Sequence, residues 1–171
     1  MNIILETKNL IIKKPSLDVL EELCLLLSDP DVMRYVGNGV RKRKEVREGL
    51  DRMIAHYEKH GFSLGSVYEK ETGLFVGRAG LVYLGMDDTQ PEIEVGYTLH
   101  KKFWNKGYAT ELSKAFITWG FQHLPVKHLV AVIQPENERS RRVLEKSGMQ
   151  YKGTAMCYDT EVAKYAIYKL M

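Results

Sequence analysis

The sequence predicts a mixed α/β fold, one sheet with helices packed on its faces. Three observations carry this. Apolar residues recur at helical spacing in four segments. They alternate, or run together briefly, in seven shorter ones. The two kinds interleave as strand, two helices, three strands, helix, strand, helix, two strands. With 171 residues, 44% of them hydrophobic and 27% charged, the chain suits one domain spanning 1–171 with a real core.

The elements follow in order. Residues 6–13 end in Leu10-Ile11-Ile12 and stop before Pro15, which reads as one edge-capable strand. Ser16 is a candidate N-cap for a helix whose face is Val19, Leu20, Leu23, Leu26 and Leu27, and Asp29-Pro30 ends that pattern. A second helix is expected over about 44–60, with Val46, Leu50, Met53, Ile54 and Tyr57 on one side and Gly61 as its C-cap. Residues 62–68 and 74–83 read as a hairpin around Glu71-Thr72-Gly73. After a polar loop, Ile93, Val95, Tyr97 and Leu99 alternate with Glu92, Glu94, Thr98 and His100, a third strand. A glycine-containing loop, 101–107, leads to a helix over about 108–123, then to the short buried strand 129–133. The last helix runs over 138–146 before Gly148, and strands 149–158 and 162–169 meet near Asp159-Thr160.

Composition narrows the function classes. No apolar run approaches the roughly 18 residues of a membrane span, so no membrane partner is expected. Met1 to Glu6 lack a basic n-region and a cleavage site, so no secretion signal is expected. Cys24 and Cys157 stand alone and read as packing residues, and a reducing cytoplasm is the simplest setting. A net charge of +3 is too small to argue for nucleic acid. The five histidines show no ligand spacing, so no metal is expected.

Two segments carry chemistry. Trp104-Asn105-Lys106-Gly107-Tyr108-Ala109-Thr110-Glu111 links a strand to a helix. A loop entering a helix offers unpaired N–H groups and the positive dipole end, a site for a diphosphate where small residues such as Gly107 and Ala109 let the backbone approach. Glycine and alanine also open helices that bind nothing. The segment matches neither G-x-G-x-x-G nor G-x-x-x-x-G-K-[ST]. In the second segment Asn137 opens the helix Glu138-Arg139-Ser140-Arg141-Arg142-Val143-Leu144. Asn137 serves there as an N-cap, Ser140 as an ordinary helix serine and the arginines as a solvated face, unless that face lies beside a phosphate.

Together these segments resemble the GNAT acyltransferase superfamily, most closely its Rim-type branch, named for ribosomal-protein N-terminal acetyltransferases. The resemblance runs through Glu6–Ile12, Leu27–Met33, Gly77–Leu81, Glu94–Leu99, Trp104–Leu112 and Asn137–Met149, six motifs in the family's order. It implies an acyl-CoA N-acyltransferase fold, a mostly antiparallel, splayed sheet of about seven strands with about four helices. It also implies acetyl-CoA as co-substrate, held where a bulged strand leaves its neighbour. On this chain the backbone of Tyr97, Thr98 and Leu99 would pair with the pantetheine. The amides of Asn105, Lys106, Gly107, Tyr108, Ala109 and Thr110 would hold the diphosphate. Asn137 would bind the pantetheine arm or the acceptor. Two positions depart from the wider family. Trp104 stands where a Gln or Arg is usual, as in the Rim-type branch, and Leu144 stands where many members carry a tyrosine acid.

The expected chemistry is direct attack of an amine on a thioester. An alkyl amine is mostly protonated at pH 7, so a base is needed. Glu94 is the candidate, with Glu92 on the same face as runner-up. Ser140 is the remaining hydroxyl able to act as acid, and an unpaired strand N–H near Leu99 would stabilise the developing oxyanion. The acceptor is a protein N-terminal α-amine or a small-molecule amine. Tyr35, Tyr83 and Phe62 are candidates for the apolar part of its pocket. The basic run Arg41-Lys42-Arg43-Lys44 reads as a solvated helix start or, beside the acceptor, as a feature that repels a polyamine and welcomes an acidic or neutral acceptor. A non-catalytic acetyl-CoA sensor is the alternative class, and exposed strand edges allow a homodimer.

Overall fold

Two strands open the chain where the sequence reads as one. The computed structural model describes residues 2–171. In it β1 (Ile3–Glu6) and β2 (Leu10–Lys13) pair antiparallel across a turn at Thr7-Lys8-Asn9. Glu111, about a hundred residues downstream, holds that turn: its carboxylate accepts from the Thr7 hydroxyl, from the Asn9 N–H at 3.0 Å and from Asn9 Nδ2 at 2.7 Å. The sheet therefore has eight strands, one more than expected.

Asp29-Pro30 ends one helix and starts another. After α1 (Leu20–Leu27), the Asp29 carboxylate accepts from the Asp31 N–H at 2.9 Å, and Pro30 opens the single turn α2 (Pro30–Met33). α3 (Arg43–His60) closes on Gly61, whose φ of +80° suits the left-handed cap that glycine adopts without strain. Then come β3 (Leu64–Glu69), β4 (Phe75–Tyr83), β5 (Ile93–Leu99), α4 (Tyr108–His123), β6 (His128–Ile133), α5 (Glu138–Lys146), β7 (Gln150–Cys157) and β8 (Thr160–Tyr168), giving five helices. No helix among the described residues is long and apolar enough to cross a membrane.

The sheet order is β1-β2-β3-β4-β5-β6-β8-β7, antiparallel throughout except for β5 beside β6. Residues opposite one another in an antiparallel pair share a face. Leu81 and Val95 are thus on one face, where α4 lies so close that a Cβ at Gly120 would meet Leu81 and Leu129 side chains at 3.0 and 2.9 Å. Leu112, Phe116 and Leu129 complete this core, all essentially inaccessible. Arg78, Val82, Glu94 and Thr98 are on the other face, toward α3. A smaller core of Leu26, Leu27, Met33, Val46 and Phe75 fixes α1, α2 and α3 to one another.

The sheet opens at its parallel pair. β4 and β5 stay in register from Gly77↔Leu99 to Tyr83↔Ile93, whereas β5 meets β6 only at Glu94↔Val130. The two strands then diverge. β5 shows no register shift against β4, so the splay comes from strand divergence rather than from the expected bulge.

Candidate active site

The first part of the site is made of backbone. Asn105 and Gly107 have left-handed φ values of +64° and +81°, which fold the loop so that successive N–H groups converge at the start of α4. No side chain caps that helix. Among the described residues, none of the six N–H groups from Asn105 to Thr110 reaches a protein acceptor, and the first intrahelical bond is from Glu111 to Gly107. Six unpaired donors at a helix N-terminus are the pattern that suits an anion. The side chains there are engaged elsewhere. The Tyr108 hydroxyl donates to Glu69, and Lys106 Nζ lies 3.4 Å from the same carboxylate, so both present only their amides. Arg139 closes one side, with its guanidinium 4.4 Å from the Trp104 ring centroid and 3.1 Å from Asn105 Oδ1.

The second part is the gap between β5 and β6. Backbone polar groups alternate sides along a strand. The His100 N–H donates to the Val76 carbonyl on β4, so the N–H groups of Tyr97 and Leu99 point the other way, into the gap. The Leu99 carbonyl on that side accepts from Trp104 Nε1 at 3.0 Å. A groove of about 510 Å³ runs from Trp104 and Ala109 past Leu99 and Thr98 to Tyr97, Asn137 and Ser140. Asn137 is the N-cap of α5, its Oδ1 accepting from the Ser140 N–H at 3.2 Å, which leaves its amide NH₂ available. The Tyr97 hydroxyl donates to Ser140 Oγ at 3.2 Å, and burial raises the Tyr97 phenol to about 12, so it stays protonated. With one of its two lone pairs occupied by Tyr97, the Ser140 hydroxyl keeps its own proton free to donate toward the gap.

The third part lies through the gap, on the α3 face. A chamber of about 470 Å³ shares Tyr97, Asn137 and Ser140 with the groove and ends at Glu94. Glu94 is 8% exposed, and desolvation raises its carboxyl to about 7 even though the Tyr158 hydroxyl donates to it. Burial and the adjacent carboxylate raise Tyr158 in turn, so the phenol keeps its proton. Glu92 is engaged elsewhere: burial pushes its carboxyl up, but Lys164 at 2.5 Å and His128 at 3.1 Å together outweigh burial and hold it below the ordinary range.

The structure thus brings Glu94, Tyr97, Thr98, Leu99, Ala109, Asn137 and Ser140 to one continuous space, with Asn105, Lys106, Gly107, Tyr108 and Thr110 contributing amides at its outer end. Tyr35 lines both cavities, but Tyr83 and Phe62 pack against His56 and His60 instead. The Leu144 side chain is buried beneath the chamber. The phenols at the site come from elsewhere, Tyr97 from β5 and Tyr158 from the β7–β8 turn. Sequence reasoning missed both side chains. Tyr97 reads as one apolar position of an alternating strand. Tyr158 is 64 residues from Glu94, at a turn where it and Asp159 have φ values of +52° and +59°. A tyrosine at that turn position, where β-branched or bulky residues are rare, is the one local signal.

Comparison with known proteins agrees with this architecture. Residues 9–150 match the family model described as Acetyltransferase (GNAT) domain. The protein YkkB of Bacillus subtilis (strain 168) is 34% identical over 141 residues, 82% of this chain and 81% of that one. The crystal structure of a GNAT-family acetyltransferase from Bacillus anthracis superposes with a TM-score of 0.80 at 26% identity, over 98% of both chains. RimL, a ribosomal L7/L12 α-N-protein acetyltransferase solved in complex with coenzyme A, shares the fold with a TM-score of 0.81 at 15% identity over 97% of each chain. On these grounds the chain belongs to the GNAT acetyltransferase family, and its activity is transfer of an acetyl group to an amine.

Proposed function

We propose that this chain takes its acetyl group from acetyl-CoA and passes it directly to a primary amine, with Glu94 as the base. The observation that carries this is the run of six unpartnered N–H groups at the start of α4, beside a groove that adjoins, through Tyr97, Asn137 and Ser140, a chamber holding a buried carboxylate raised to about 7. The donors fit a diphosphate in number and charge, and the loop's left-handed residues let it come close. Coenzyme A, when bound, supplies the acetyl group as a thioester.

The remaining steps belong to this chain's residues. The amides of Asn105 to Thr110 anchor the diphosphate. The N–H groups of Tyr97 and Leu99 pair with the pantetheine, and the one beside the reacting carbonyl stabilises its developing negative charge. Asn137 uses its free amide to hold the arm or the acceptor. Glu94 accepts a proton from the incoming ammonium, and a pKa near 7 suits it to do so at neutral pH. Ser140 donates toward the departing sulfur while the Tyr97 hydroxyl donates to Ser140, which compensates for the leucine at position 144. A thiol with a pKa of about 8.5 is a fair leaving group, so this last aid is modest. The acceptor is a protein N-terminal α-amine, as in the RimL neighbour, or a small-molecule amine.

Isothermal titration with coenzyme A is the test, alongside thiol release from acetyl-CoA with an amine panel. The expected result is saturable binding that weakens with salt, lost when Gly107 is replaced by a bulky acidic residue. No heat of binding for the parent protein would overturn the proposal.

A further inference from the structure

The acceptor chamber carries three arginines that the reaction does not use. Arg41 comes from the loop before α3, Arg52 from α3 and Arg78 from β4, and all three line the chamber with Glu94. None of the three guanidinium groups has an ion-pair or hydrogen-bond partner among the described residues. The basic residues that follow Arg41 behave differently: Arg43 pairs with Glu21 at 2.6 Å, and Lys44 lies 3.9 Å from Glu48, both on the surface.

The three guanidiniums are drawn together. A Cβ at Gly49 would lie 3.7 Å from Arg41 Nη1 and 3.7 Å from Arg52 Nη2, so both guanidinium groups rest against the same point of α3. Arg41 repels both others, and burial is the leading reason that the proton affinities of Arg41 and Arg78 fall, Arg78 to about 10. The buried Nε of Arg78 has no acceptor at all. Leaving a buried donor unmet is costly, and so is holding like charges together away from water. Glu94, the single carboxylate on the chamber wall, is bonded to Tyr158 and does not compensate them.

Such an arrangement is complementary to an oxyanion. Carboxylate and phosphate oxygens accept from guanidinium forks in the plane that arginine presents. Arg78 shares a sheet face with Glu94, four residues along paired strands, so one acceptor can reach the base with its amine and the arginines with its anion. We propose that the natural acceptor is an amine whose own skeleton carries an oxyanion, bound by Arg41, Arg52 and Arg78. This rests on the acyl-transfer reading and names its acceptor class.

The experiment compares matched acceptors with acetyl-CoA: β-alanine against its amide, O-phosphoethanolamine against ethanolamine, and short peptides with aspartate or asparagine after the N-terminal residue. Within at least one pair the anionic member should have the larger kcat/KM by tenfold or more, and the pair that responds distinguishes a free small molecule from an acidic N-terminus. In Arg52→Gln that ratio should fall toward one, with Arg41→Gln as the second variant should the first fold poorly. A readout free of turnover is titration of the N-acetylated anionic products into the protein with and without coenzyme A, where Arg52→Gln should weaken binding tenfold or more. Equal turnover of both members of every pair, a preference that survives both variants, or no binding of any anionic product would overturn the inference. Coenzyme A binding separates the cases. If coenzyme A binds and neutral amines react as well as anionic ones, only the acceptor class is wrong. If coenzyme A does not bind, the acyl-transfer reading falls with it.

Discussion

Glu94→Gln should make the protein both slower and more stable, with the two effects growing over the same pH range. The carboxyl is lifted from 4.5 to about 7, chiefly by burial. At ~1.36 kcal/mol per tenfold change in proton affinity, that rise corresponds to about 3 kcal/mol. The sign follows from linkage. The folded state holds this proton more tightly than the unfolded chain, so the folded state loses ground as pH climbs from 4.5, and the full penalty is present above about 7. Glutamine has no proton to release, and its side-chain oxygen still accepts from Tyr158. The variant should therefore match the parent in stability near pH 4.5 and exceed it by about 3 kcal/mol near pH 8, roughly 6–12 °C in Tm for a chain of this size. Its kcat/KM should drop by about 10²–10⁴, the usual contribution of a positioned base. Parent kcat/KM should rise with pH and level off above about 7. Thermal melts and thiol-release kinetics across that range measure both effects. A parent rate that is flat between pH 6 and 8, or a variant retaining more than a third of parent kcat/KM, refutes the assignment of Glu94 as base.

Other outcomes follow from the same geometry. Tyr158→Phe removes a bond that favours the Glu94 carboxylate, so the rising limb of the pH–rate profile should move to higher pH, with activity lost at pH 7 and recovered above it. Ser140→Ala should lower kcat several-fold and leave coenzyme A affinity, measured by calorimetry, unchanged, because the role proposed for its hydroxyl is confined to the leaving group. Gly107→Ala places a Cβ on a residue with φ of +81°, which should cost about 1–2 kcal/mol in a denaturant melt. Phe116→Ala empties part of the core under the sheet and should cost about 3–5 kcal/mol by the same measurement.

Much of the fold was legible because its signals are local. The alternation of Ile93, Val95, Tyr97 and Leu99 against Glu94 and Thr98 places a strand and assigns its faces without any partner. Gly61 after a helical stripe, and Asn137 before one, mark helix ends through backbone chemistry that acts within one turn. The loop at 104–110 could be read as an anion site because helix N-termini carry their donors wherever they occur. The misreadings share the opposite origin. The Thr7-Lys8-Asn9 turn is stabilised by Glu111, a contact about a hundred residues long in sequence. Asp29-Pro30 reads as a stop, but a capping aspartate followed by proline also starts a helical turn, and burial of Val32 and Met33 selects that outcome.

What the sequence alone determined was the inventory: which segments are strands or helices, where a loop of small residues enters a helix N-terminus, and which carboxylate stands on the strand beside it. Only the tertiary structure decided how those parts meet. Strand divergence after Glu94↔Val130 opened the gap, the β7–β8 turn carried Tyr158 onto Glu94, and α3 brought Arg52 beside Arg41 at Gly49. The physical reason is range. Periodicity, capping and turn chemistry act between residues a few positions apart, whereas desolvation and charge complementarity depend on which distant segments pack together.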